Sequence, residues 1–373
     1  MRGGTITTTI NPAHAVASPD PRLIVDLDAI ARNYGTLCRL AGGAQVAGVV
    51  KADAYGLGAA QVAPRLAKEG CRTFFVATAR EGEALRKALP GLEAEIFVFH
   101  GYWPGERARI VSARLIPVLN SADQIEAFRA DGGGACAIHF DTGMNRLGLS
   151  SRETEELIAG ASTLAGLDLR LIMSHLACAE APDHPKNGAQ RDRFADIVRR
   201  LPPCRASLAN TGAVLLGEAY HFDLVRPGIG LYGAHPANTS GGPFEPVVAI
   251  EAPILQLREI AAGETIGYGA QVTADRAMLT ATLALGYADG FLRATSPGAA
   301  GRIGNTRIPL LGSVSMDLSV VDVSAVPGQL KPGDRVRFLA SALNETAAAA
   351  GTIGYELLTR LGSRLTRVYE SDR

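Results

Sequence analysis

The sequence predicts an α/β protein: a (β/α)8 barrel of the TIM type followed by a mostly β C-terminal domain. Three observations predict it. Short apolar runs alternate with helix-patterned segments eight times over roughly 220 residues, as a closed barrel requires. The composition then changes near residue 246 to strand-like runs separated by Gly and Pro turns. A length of 373 residues with 47% apolar side chains allows two domains with a substantial core. Alternation alone does not separate a closed barrel from an open doubly wound sheet.

Residues 1–21 read as a loose tail, since "MRGGTITTTINPAHAVASPDPR" holds no continuous apolar segment of signal-peptide length. From residue 22 the barrel-strand candidates are Leu23 to Leu27, Gln45 to Val50, Thr73 to Ala77, Glu95 to Phe99, Ile116 to Leu119, Ala135 to Phe140, Arg170 to His175 and Ala206 to Ala209. Helical spacing marks 77–89, 121–130 and 150–163, with Ser121 and Ser151 at the expected N-cap positions. In "AQRDRFADIVRRL", Phe194, Ile197, Val198 and Leu201 share one face. The barrel domain is therefore drawn over 22–245, ending in the turn-rich "HPANTSGGPFEP". The β domain covers 246–373, with strands in "PILQLREI", "MLTATLALGY", "IPLLG", "SVVDV" and "RVRFLA" and a helical stretch at 352–362.

Charge and cysteine usage exclude several classes. Lys plus Arg and Asp plus Glu are 37 each, so no net field favours nucleic acid or an anionic membrane. The five cysteines are odd in number and include no Cys-x-x-Cys pair, which argues against a disulfide framework or a structural zinc site. No run approaches the ~20 apolar residues of a membrane span. A cytoplasmic protein acting on a small molecule, without a metal, fits these constraints.

The most chemically suggestive stretch is "VVKADAYGLG" (49–58), where Lys51 ends an apolar run and small residues and glycines follow. At a barrel strand's C-terminal end, counted here as the second strand, a lysine stands where barrel active sites are built. Buried, it sheds its charge readily and becomes a nucleophile or Schiff-base former. The alternative is a lysine with a buried stem and a solvated head.

"VVKADAYGLG" resembles the pyridoxal-phosphate attachment site of the alanine racemases, the fold-type III pyridoxal-phosphate family. The resemblance continues in order through "DTGMNRLGL" (141–149), "SHLACAE" (174–180), "LANTGA" (208–213), "VRPGIGLYG" (225–233), "GYGA" (267–270), "GYADG" (286–290), "SMDLSVVDV" (315–323) and "TIGYELLTRLGSR" (352–364). It implies racemisation of L- and D-alanine with pyridoxal 5'-phosphate, supplying D-alanine for peptidoglycan. Lys51 is then the residue in Schiff-base linkage. Tyr55, Thr211, Tyr355 and the backbone near Gly228 and Ile229 hold the phosphate, in the region after the eighth strand where a helix N-terminus favours an anion. Arg226 faces the pyridine nitrogen, where a carboxylate would strengthen the ring as an electron sink and an arginine weakens it.

By the same resemblance, Lys51 and Tyr268 are the acid/base groups on opposite faces, with His175 and Arg226 assisting the tyrosine. Tyr268 comes from a partner subunit, which implies a homodimer with composite sites. Arg146 and the Met316 N–H meet the substrate carboxylate, and Tyr287 narrows the entrance. Two positions depart from the family pattern. His139 stands where many members carry a carbamylated lysine that pairs with the arginine here numbered 146, so Arg146 needs another anion. Met173 replaces a tyrosine. The alternatives are a racemase of broader range, serine included, and a non-catalytic pyridoxal-phosphate barrel. The second is disfavoured by the β domain, while Arg226 and Tyr268 discriminate against related decarboxylases.

Overall fold

The computed structural model describes residues 19–160, 164, 166–239, 241–296 and 298–371. Most of the expected tail, the end of the segment expected helical over 150–163, and single positions near 240 and 297 lie outside the described residues. The architecture is a parallel barrel joined to a second, mainly antiparallel sheet domain.

Seven parallel strands follow one another round the barrel in chain order: Gly48–Val49, Thr73–Val76, Glu95–Val98, Ile116–Leu119, Gly134–His139, Leu167–Met173 and Ala206–Ser207. Runs such as "TFFV" and "EIFV" are apolar throughout because helices cover one face and the barrel interior fills the other. Inside, Phe75 stacks on Phe97 at 4.8 Å and on Phe99 at 5.1 Å. Burying each such ring stabilises the fold by roughly 1.5–3 kcal/mol.

The sheet closes through a strand that the sequence reading missed. Leu224–Val225 pairs in parallel with Gln45–Val46 on one side. On the other, the N–H groups of Asp223 and Arg226 donate to Ala206 and Ala209 carbonyls at 3.0 and 2.8 Å. Conversely, the run Leu23 to Leu27 is not a barrel strand. Arg22–Asp26 pairs antiparallel with Val248–Ile260 and parallel with Thr366–Glu370, so it belongs to the second sheet. The count therefore shifts by one: Lys51 follows the first barrel strand rather than the second, and Thr211 follows the seventh rather than the eighth.

Helix starts follow local capping chemistry. Thr78 caps Ala79–Ala88 in a capping box with Glu81, and Ser121 accepts from the Gln124 N–H. The cap of Ser151–Ala159 is Ser150, not Ser151, because only Ser150 places Glu153 at the third helical position to complete a capping box. In the helix Pro185–Arg200, Phe194 and Ile197 are buried as the spacing predicts.

The second domain is organised by the long strand Val248–Ile260. A bulge between Ile254 and Gln256 bends it, so one half pairs with Arg335–Phe338 and the other with Met278–Leu283. Thr306–Leu311 and Ser319–Asp322 complete the expected set, and Ala300–Ile303 adds a strand not foreseen. Sequence positions 352–362 contain the helix Gly354–Thr359, which carries Tyr355 to the barrel.

Candidate active site

The backbone after Val49 does something unusual. Ala52, Asp53, Ala54 and Tyr55 all have φ between 52° and 57°, a left-handed turn made without glycine. Such a conformation costs roughly 1–2 kcal/mol per L-residue, so the surroundings must hold it. Internal hydrogen bonds run from the Ala54 N–H to the Val50 carbonyl (2.9 Å) and from the Gly56 N–H to the Ala52 carbonyl (2.8 Å). At its end, Arg367 donates from Nε and Nη2 to the Gly56 carbonyl at 3.0 and 2.9 Å. Gly56 itself sits at φ 84°, and a Cβ there would lie 2.6 Å from the Leu358 carbonyl oxygen, so glycine is required.

This turn mounts Lys51 and Tyr55 in one cavity of about 480 Å³ at the C-terminal end of the barrel. The cavity gathers Lys51, Tyr55, His139, Arg146, Met173, His175, Thr211, Arg226, Gly228, Ile229 and Tyr355, the sites the sequence singled out in the barrel plus Tyr355 from the second domain. Among the described residues it is lined by three cationic side chains, Lys51, Arg146 and Arg226, and no carboxylate. Burial, with Arg146 nearby, pulls the Lys51 amine below its ordinary pKa, while Glu81 pulls the other way. Its Nζ lies 5.7 Å from the centre of the Phe99 ring.

Arg226 is 3% exposed. It donates through Nη1 to Ser207 Oγ and through Nη2 to the Ser174 carbonyl at 2.7 Å and to His175 Nδ1 at 3.4 Å. Burial lowers its pKa to about 9, which leaves it cationic at neutral pH, and among the described residues no carboxylate pairs with it. Since a guanidinium only donates, His175 Nδ1 must accept and the imidazole proton sits on Nε2. His175 is half-buried and lines the cavity. Burial, Arg226 and Arg146 hold it well below the ordinary histidine pKa and therefore neutral. Gln190 fixes the loop by donating to the His175 carbonyl at 3.0 Å.

His139 is held differently. Asn120 Nδ2 donates to the Phe99 and Val118 carbonyls at 2.9 and 2.8 Å, which leaves its Oδ1 to accept from His139 Nδ1 at 2.8 Å. Burial, then Arg226, pushes the His139 pKa down to about 4, so this ring is also neutral. Arg146 has no ion-pair partner among the described residues, and Asp141 is occupied with the N–H groups of Gly143, Met144 and Asn145.

At the other end of the cavity, Thr211 Oγ1 accepts from the N–H groups of Gly228 (3.0 Å) and Gly230 (3.3 Å). The buried Ile229 N–H meets no acceptor among the described residues. A Cβ on Gly228 would run into the Tyr55 hydroxyl. The Tyr55 ring packs at a tilt against Tyr232 at 4.6 Å and against Tyr355 at 5.9 Å. Burial raises both the Tyr55 and Tyr355 hydroxyls, Tyr355 to about 12, so each is a protonated donor. Hydroxyl donors, a buried unmet N–H, a cradle without room for a Cβ and cationic walls together suit a phosphorylated ligand.

Tyr268, Tyr287 and Met316 do not line this cavity. They lie on the second domain, 74%, 42% and 55% exposed. The Tyr287 N–H donates to the Ser315 carbonyl at 3.0 Å, which ties the loop of Tyr287 to that of Met316. Arg364 pairs with Asp317 at 2.6 Å and Asp289 at 3.0 Å, bracing both loops. Sequence reasoning gave no role to Ser207 or Tyr232, which contact Arg226 and Tyr55. Ser207 lies within the strand candidate Ala206 to Ala209 and Tyr232 within "VRPGIGLYG", but neither position carries a local signal for its contact.

The model of the alanine racemase N-terminal domain matches residues 25–236, and that of the alanine racemase C-terminal domain matches residues 247–369. An alanine racemase of Rhodospirillum rubrum is 47% identical over 93% of this chain and 95% of its own. A catabolic alanine racemase of Mesorhizobium japonicum is 46% identical over 93% of this chain and 92% of its own. A crystal structure of alanine racemase from Bartonella henselae with covalently bound pyridoxal phosphate superposes with a TM-score of 0.87 at 35% identity, covering 94% of this chain and 99% of that one. A glycine-free left-handed turn carrying a lysine, a carboxylate-free cationic cavity and two matching domain models lead to one conclusion: this chain belongs to the alanine racemase family.

Proposed function

We propose that this chain interconverts L- and D-alanine with pyridoxal 5'-phosphate held on Lys51, using Lys51 and Tyr268 of a second copy as acid/base groups on opposite faces of the substrate. The observation that carries the reading is the half-buried Lys51 amine in a cavity of cations with no carboxylate among the described residues, beside an arginine-anchored neutral histidine. When bound, the cofactor supplies an electrophilic carbonyl for amines and a ring that draws electron density from the substrate Cα.

The chain's own residues divide the remaining work. Tyr55, Tyr355 and Thr211 would hold the phosphate by their hydroxyls, and Gly228 and Ile229 by their backbone N–H groups. Arg226, cationic and without a proton to accept, would face the ring nitrogen and keep the ring a weak electron sink. That limits protonation at the wrong carbon. Lys51, depressed below its ordinary pKa, can take or return the Cα proton on its own face. Arg146 would take the substrate carboxylate together with the Met316 N–H of the second copy.

The second base needs help, because a tyrosine ordinarily titrates near ~10. His175 presents Nε2–H to the cavity and so can only donate to an approaching phenolate, which favours the ionised form. Tyr268, Tyr287 and Met316 are exposed on one chain, which supports a homodimer in which each copy completes the other's site. D-alanine so produced serves peptidoglycan synthesis. Borohydride treatment of purified protein, followed by peptide mapping, should fix the cofactor on Lys51, and L-alanine should lose its optical rotation. Label on another lysine, or bound cofactor without turnover, would contradict the reading.

A further inference from the structure

We propose that Glu81 is a positioning residue for Lys51: its carboxylate caps the left-handed turn that carries the lysine and ties that turn to the end of the neighbouring strand. The proposal rests on the reading of Lys51 given above. Glu81 belongs to the first turn of the helix Ala79–Ala88, where it completes a capping box with Thr78. An ordinary cap would engage the Thr78 N–H closely, yet that distance is 3.5 Å. The same oxygen, Oε2, accepts from the Ala77 N–H at 2.7 Å, and Oε1 reaches across to the Ala52 N–H at 3.1 Å. One carboxylate thus joins the ends of two neighbouring barrel strands.

Ala52 is the first left-handed residue after Lys51, and the start of any helical turn leaves N–H groups with no acceptor inside it. Glu81 supplies that acceptor, as Arg367 supplies the donors for the Gly56 carbonyl at the opposite end. Packing does not replace it. Behind the turn lies a second cavity of about 500 Å³, lined among others by Val50, Ala52, Asp53, Thr78 and Glu81. The remaining charged or titratable groups around Lys51 are His100 after the strand Glu95–Val98, Arg146 after the strand Gly134–His139, Arg226 after Leu224–Val225, the neutral His139 and His175, the hydroxyls of Tyr55 and Tyr355, and Asp53 on the same turn, whose Oδ1 accepts from the Ala59 N–H at 2.7 Å. Glu81 therefore opposes the cations, and Coulomb attraction to it favours the protonated amine.

The test compares full-length Glu81→Gln, Glu81→Asp and Thr78→Ala with the parent chain. Acetic anhydride labelling of Lys51 across pH, read by mass spectrometry after cofactor removal and referenced to Lys331, reports the amine's midpoint without any turnover. Glu81→Gln should lower that midpoint by about 0.5–1 pH unit. It should also cut kcat about tenfold with KM within about twofold, because the loss falls on a proton-transfer group. Glu81→Asp, which keeps the charge on a shorter arm, should recover part of the midpoint. Thr78→Ala removes the helix cap alone and should lower Tm while leaving midpoint and kcat unchanged. An unmoved midpoint in Glu81→Gln, or the same shift in Thr78→Ala, would overturn the proposal. Should Glu81→Gln not fold, an Asp variant with the parent midpoint and kcat would overturn it as well, since the shorter arm cannot bridge both strand ends. Failure of borohydride to fix cofactor on Lys51 would instead count against the cofactor reading, and the midpoints would still decide the role of Glu81.

Discussion

Arg226 donates through Nη2 to His175 Nδ1 at 3.4 Å, and this contact dictates which imidazole nitrogen carries the proton. Arg226→Lys keeps a cation but loses the planar fork that also binds Ser207 and the Ser174 carbonyl. The tautomer of His175 is then no longer imposed, and kcat for alanine should fall by roughly 10–100-fold, within the range of one acid/base group. A chiral assay checks this; activity within twofold of the parent would mean that the contact does not matter.

Acid should destabilise the folded chain through its neutral histidines. His139 titrates at about 4 and His175 well below its ordinary value, whereas both take protons near ~6.5 when unfolded. The unfolded state therefore binds more protons below about pH 6.5, and stability falls as pH drops. The slope approaches ~1.4 kcal/mol per pH unit for each histidine. His139→Asn keeps a donor for Asn120 but cannot titrate. Urea unfolding between pH 7 and 4.5 should show a shallower acid limb in that variant.

Gly228 should tolerate no side chain, since a Cβ would collide with the Tyr55 hydroxyl. Gly228→Ala should weaken pyridoxal-phosphate binding by about 100-fold, equivalent to about 2.7 kcal/mol. Fluorescence titration of the cofactor-free chain measures it, with Tm as the check that folding is retained.

Arg146 stands in the cavity wall without an ion-pair partner among the described residues, where His139 provides no anion. A small anion should therefore occupy it between turnovers and compete with the substrate carboxylate. Added chloride should raise KM for alanine several-fold at unchanged kcat, beyond the general screening that sulfate at equal ionic strength produces. Equal effects of both salts would contradict this.

Much of the scaffold was legible because buried parallel strands are continuously apolar and most helix caps are local signals. Arg22–Asp26 misled for the same reason: a buried run in the second sheet has the same pattern as a barrel strand, and only its partner Val248–Ile260, more than two hundred residues away, distinguishes it. Leu224–Val225 was invisible because two residues carry no period. The motif residues of the barrel line one cavity. The left-handed turn did not show in "KADAY", which reads as an ordinary helical start. Glu81 and Ser207 look like a helix cap and a strand residue, and acquire other roles only through distant partners.

The most direct test of a site shared between two copies is complementation between Lys51→Ala and Tyr268→Phe. Each variant alone should lack racemase activity. When the two are mixed, unfolded together and refolded, half of the dimers should be hybrids with one intact site, giving about a quarter of the parent activity. Hybrids that form, as shown by differently tagged chains, yet remain inactive would contradict the account.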